Sequence, residues 1–110
     1  MTEPLDPGLL RHRVGLERPQ GTSDGSGGET IAWTPVATLW ARIDPIGATE
    51  SAIAGHLTTM ATHKITIRWR DDVVGGMRIV FRGRHFRVRA VFDPDERQRY
   101  LVLATEEERR

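Results

Sequence analysis

The sequence has no cysteine in its 110 residues. That excludes disulfides, thiolate nucleophiles and cysteine-ligated zinc, and leaves stability to packing or to partner subunits. It has no apolar run near the roughly 20 residues that cross a bilayer, and the opening MTEPLDPGLLRHR holds no hydrophobic signal core. A soluble chain made in the cytoplasm, with no membrane partner, is expected. The formal net charge is only +1, so attraction to nucleic acid would have to come from uneven distribution and not from the total.

Catalytic and metal-binding patterns are missing as well. His12, His56, His63 and His85 form no HxxxH, HxH or HExxH spacing and fall on different expected elements. Asp71 and Asp72, like Asp93, Asp95 and Glu96, sit in turn-like contexts, where aspartate is favoured because its carboxylate binds nearby backbone amides. No serine stands in a GxSxG setting, and the glycine-rich stretch 20–29 lacks the lysine and the strand–loop–helix context of a phosphate cradle. The expectation is a protein that is not an enzyme and takes no cofactor and no metal.

What is present is period-two alternation. Residues 1–9, with two prolines and a glycine, form an N-terminal arm, and RHRVGLERP follows with Val14 and Leu16 on one side, closed by Pro19. The polar run 20–29 carries four glycines and no apolar residue, which predicts a flexible hairpin loop. Beyond Pro35, which marks an edge or a bulge, Ala37, Leu39, Ala41 and Ile43 share the core face and Trp40 points away. In the insert 45–62 the period changes: Thr49 can cap a short helix over 50–57 with Ile53 and Leu57 on one side and Met60 extending the stripe, or the segment is mobile.

Alternation returns at His63. Ile65, Ile67 and Trp69, then Met77, Ile79 and Phe81, then Phe86, Val88, Ala90 and Phe92 are expected inside, with a tight turn at the RGR of 82–84 and another at DPDERQR. The final strand, 100–105, is apolar on both sides. The fold class is mainly β: a small antiparallel barrel of about six strands with one short helix or mobile insert, spanning 10–107, with a tail at 108–110.

Between 63 and 90 eight basic residues, nearly all arginine, face two acids; from 93 to 110 six acids face four arginines. A stripe of Arg68, Arg70, Arg78, Arg82, Arg84, Arg87 and Arg89 can neutralise phosphates, but stacking platforms need exposed aromatics, and Trp69, Phe81, Phe86 and Phe92 read as core. A basic face paired with a neighbouring subunit and a face in contact with DNA both remain open. An outward tryptophan such as Trp40 is covered either by another chain or by the terminal strand or helix.

The order LRHRVGLERP, polar glycine loop, WTPVATLWARIDPIGATE, and THKITIRWRDDVVGGMRIVFRGRHFRVRAVFDPDERQRYLVLATEE resembles the head–tail joining or head-closure family of tailed bacteriophages and phage-like gene transfer agents. The resemblance covers about 10–107. It implies a structural subunit, assembled in the bacterial cytoplasm into a ring of six or twelve copies between the portal and adaptor proteins and the tail terminator or tail tube. Double-stranded DNA would pass through the channel. It further implies that the insert faces the channel, through Ile46, Thr49, Ile53, His56, Leu57 and Met60. Subunit contacts are expected at Trp40, Arg68, Arg70, Arg87, Arg89, Asp93, Asp95 and Glu96, the basic flank of one copy meeting the acidic flank of the next. The alternative is a free-standing small barrel that binds nucleic acid.

Overall fold

A computed structural model describes residues 9–23, 25, 27–46 and 61–108. The strands are β1 (His12–Ser23), β2 (Glu29–Pro45), β3 (His63–Arg68), β4 (Arg78–Phe81), β5 (Arg84–Phe92) and β6 (Tyr100–Glu108). They close into an antiparallel barrel in the order β1-β2-β3-β6-β5-β4, with β4 pairing back onto β1. The mainly β, six-stranded barrel is therefore as expected. The helix anticipated over 50–57 lies outside the described residues.

Alternation builds the core. Val14 and Leu16 on β1, Ala41 on β2, Ile65 and Ile67 on β3, Ile79 on β4, Phe86 and Val88 on β5, and Leu101 and Leu103 on β6 all point inward and are buried. Full burial of each large side chain contributes about 1.5–3 kcal/mol. Thr105 is buried too, and its hydroxyl donates to the His63 carbonyl at 3.0 Å, so no polar group is stranded there. Both sides of β6 are largely covered, as its composition suggested: Tyr100, Leu101, Leu103, Ala104 and Thr105 are buried.

Two extra residues bend the barrel and change its phase. On β2, Ala37 pairs with Leu16 while Pro35 pairs with Glu17, so Val36 is the extra residue of a bulge beside the proline. On β5, Val88 pairs with Thr105 and Ala90 with Ala104, which makes Arg89 the extra residue. The second bulge overturns part of the alternation reading. Past Arg89 the inward residue is Val91, packed against the core, and Phe92 faces out at 43% exposure.

The first hairpin also differs. Pro19 does not end β1: the ladder continues through Pro19 paired with Trp33 to Ser23 paired with Glu29. Beyond Glu17 β1 has no other described neighbour, and an edge position tolerates a residue without an N–H. The loop expected over 20–29 thus narrows from both sides. The turn between β4 and β5 is as anticipated: Arg82 (φ 50°) and Gly83 (φ 78°) are both left-handed, the two-residue geometry that matches strand twist.

Candidate assembly surfaces

Antiparallel order sorts the connections to two ends. At one end stand the start of β1, the end of β2, the start of β3, the β4–β5 turn and the end of β6; the insert joins the barrel here. At the other stand the β1–β2 hairpin and the connections 69–77 and 93–99.

The root of the insert is tightly held. The Ile46 N–H donates to the Thr62 carbonyl at 2.9 Å, so the chain leaves and re-enters across one hydrogen bond. The Thr62 N–H donates to the Thr105 carbonyl at 2.7 Å. The Thr62 hydroxyl accepts from the Glu107 N–H at 2.8 Å and shares a 2.9 Å bond with His63 Nδ1. Arg84 donates to both Glu107 carboxylate oxygens, at 2.8 and 3.0 Å, which raises the guanidinium pKa further, and its Nη2 lies 3.5 Å from His63 Nε2. The His63 ring meets Phe86 edge-on at 5.0 Å. Burial lowers the His63 pKa below its ordinary value and Arg84 adds to that, while Glu107 opposes it.

The expected interface residues divide into groups. Trp40 faces out at 51% exposure, with the Arg13 guanidinium 5.2 Å from its ring. Arg68 is exposed at the end of β3, and Arg70 grips Asp72 with two bonds of 2.9 and 2.8 Å, which depresses the Asp72 carboxyl. Arg87 reaches Glu108 at 3.4 Å and lies 4.8 Å from the Trp33 ring; Arg89 reaches Glu106 at 3.1 and 2.5 Å. These acids lie on β6, directly beside β5, so the separation of charge along the sequence is largely neutralised within one copy. In the turn 93–99, Asp93 accepts from the Gln98 N–H at 2.9 Å, and Asp95 accepts from the Arg97 N–H at 3.0 Å and from the Arg99 guanidinium, which lowers its carboxyl pKa. Glu96 is exposed with φ 57°. Of the six insert residues expected to face the channel only Ile46 is described; Thr49, Ile53, His56, Leu57 and Met60 lie outside the described residues.

Among the described residues there is no cluster of metal-ligating side chains and no helix long and apolar enough to cross a membrane. Residues 5–108 match the family model of the phage head completion protein. The chain belongs to that family. Membership makes it a structural protein of a phage or phage-like particle. The solution structure of protein SF1141 from Shigella flexneri 2a superposes with a TM-score of 0.72 at 26% identity, covering 93% of this chain and 96% of that one. A chain of the virion of a native gene transfer agent particle shares the fold, with a TM-score of 0.60 at 23% identity over 89% of this chain and 94% of that one. No curated protein matches the chain.

Within this head completion fold, two groupings form only through pairing between strands distant in sequence. One is the insert root, Thr62 and Glu107, whose partners are 45 residues apart in sequence. The other is the cluster at the base of the hairpin. Glu17 accepts from Arg78 at 2.6 Å, and the Trp33 ring lies 4.3 Å from the Arg78 guanidinium. Trp33 was visible as an aromatic next to a polar run, but only the β1–β4 register brings it to the arginines.

Proposed function

We propose that this head completion protein is the subunit of a homo-oligomeric ring that sits between the portal or adaptor and the tail and continues the DNA channel, with the insert 45–62 turned toward that channel. The observation that carries this reading is the clamped insert root: Ile46 and Thr62 are joined at 2.9 Å, and Thr62 is tied to Thr105 and Glu107 of the last strand. A segment whose two ends are fixed to each other and to the last strand is presented from one end of the barrel, where a channel or a neighbouring layer can meet it. The partners are further copies of the chain, the portal and adaptor proteins on the head side, and the tail terminator or tail tube on the other. The copy number, six or twelve, follows from the angle between copies.

The nucleic-acid-binding alternative is weaker. Arg78, Arg84, Arg87 and Arg89 are already engaged by Glu17, Glu107, Glu108 and Glu106, and phosphate contact would have to displace those carboxylates. The deciding experiment deletes the gene in the producing cell and images the particles. Filled heads without tails, rescued by supplying the chain, are expected. Normal tailed particles without this chain would end the ring reading.

A further inference from the structure

Among the described residues one pair of strand edges is open. Among the described residues β1 has a second neighbour only where residues 15–17 meet β4, and β2 only where residues 41–45 meet β3. From the pair Arg18 and Thr34 to the pair Ser23 and Glu29, six successive rungs form a two-stranded ribbon. At about 3.4 Å per residue the ribbon extends about 20 Å past the last rung shared with β4. It is anchored at its base by Glu17, Arg78 and Trp33, and beyond that base it is exposed throughout, including Ile31 at 52%.

An isolated two-stranded ribbon is marginal in water, and exposed edges are normally protected by charge or covered. Here the protection is confined to Pro19 and two charges. The β2 side reads Glu29, Thr30, Ile31, Ala32, Trp33, Thr34, and Arg18 and Glu29 are the only charged residues of the twelve that pair. Each side of the ribbon therefore offers backbone donors and acceptors to a further strand. A single peptide could supply only one.

We infer that the ribbons of adjacent copies pair edge to edge, β2 of one against β1 of the next, to form a continuous antiparallel crown at the end of the ring opposite the insert. This rests on the ring reading and identifies its subunit contact. Rotation about an axis along the ribbons sets each β2 beside a neighbouring β1 of opposite direction, so antiparallel order is kept around the circle, and both edges of every ribbon are satisfied by a head-to-tail contact. In register, Arg18 meets Thr34 and Glu29 meets Ser23 of the neighbour, so no like charges are opposed. Pro19 removes one donor from the β1 edge and leaves the rest of that edge available.

The absence of native cysteine gives a clean test. Particles are assembled in cells co-expressing two otherwise wild-type chains, one with cysteine at a β1 position (Gln20→Cys or Thr22→Cys) and the other at a β2 position (Thr30→Cys or Ala32→Cys). The four combinations allow for a shift of register. All four sites are exposed, so folding is preserved, and since the cysteines are on different chains any bond is between copies. The expected result on mild oxidation is a mixed dimer as the major species for at least one combination, formed in assembled particles. Four negative combinations in tailed particles that contain the chain would overturn the crown while leaving the ring standing. A Thr30→Cys homodimer, or cross-linking to a different particle protein, would also overturn it. Particles from which the chain is missing altogether would overturn the ring and the crown together.

Discussion

The bulge at Arg89 gives a sharp stability prediction, because it reverses which of two adjacent side chains supports the core. Strict alternation from Phe86 places Phe92 inside, where truncation to alanine would cost about 3–5 kcal/mol. The register instead makes Arg89 an extra residue, turns Val91 inward against the core and leaves Phe92 at 43% exposure beside Val102. Val91→Ala removes two partly buried methyl groups, each worth up to about 0.8 kcal/mol plus a small cavity term, so a loss of about 1–2 kcal/mol is expected. Phe92→Ala is expected to cost less than about 1 kcal/mol. Phe86→Ala, at a fully buried aromatic, sets the upper scale at about 3–5 kcal/mol. Urea unfolding followed by tryptophan fluorescence measures all three. At a slope of about 1–2 kcal/mol per molar, Val91→Ala shifts the midpoint by about 1 M and Phe92→Ala by markedly less, with the slope unchanged. A Phe92→Ala loss matching that of Phe86→Ala, with Val91→Ala neutral, would refute the register. If Phe92 is retained for assembly and not for folding, the same variant loses tailed particles at nearly normal stability.

Charge exchange tests whether Arg89 serves its own copy: Arg89→Glu is expected to cost at most about 1 kcal/mol, since the pair is partly exposed, and adding Glu106→Arg restores stability and assembly. Failure of the exchange to restore assembly would point to a partner outside the chain. At the insert root, burial depresses the His63 pKa in the folded state, so the unfolded chain binds the proton more readily. Stability is then full above about pH 6.5, the ordinary histidine value, and falls as pH drops below it; His63→Gln should flatten the difference between unfolding curves at pH 7.5 and 5.5. Trp33→Ala should speed amide exchange in 18–23 and 29–34, through loss of about 0.5–2 kcal/mol of cation–π contact, while β3 and β6 amides keep their protection. Equal loss of protection across the barrel would show that Trp33 belongs to the global core instead.

Local chemistry alone determined much of this protein. The alternation of Val14 with Leu16, Ile65 with Ile67 and Phe86 with Val88 fixes both the strands and their buried faces, since a pleated strand sends successive side chains to opposite sides. The glycine of RGR fixes the β4–β5 turn for an equally local reason. Tertiary structure decided what depends on a neighbouring strand. A bulge is a mismatch between two strands, so neither the inward turn of Val91 nor the exposure of Phe92 is written in β5 itself. The same holds for the hairpin: QGTS has no apolar residue, and it becomes a strand only because it is held in register against the start of β2. Pairing of Arg84, Arg87 and Arg89 with Glu107, Glu108 and Glu106 likewise needed β5 and β6 to be adjacent, because a charge balance counted along the chain contains no information about distance in space.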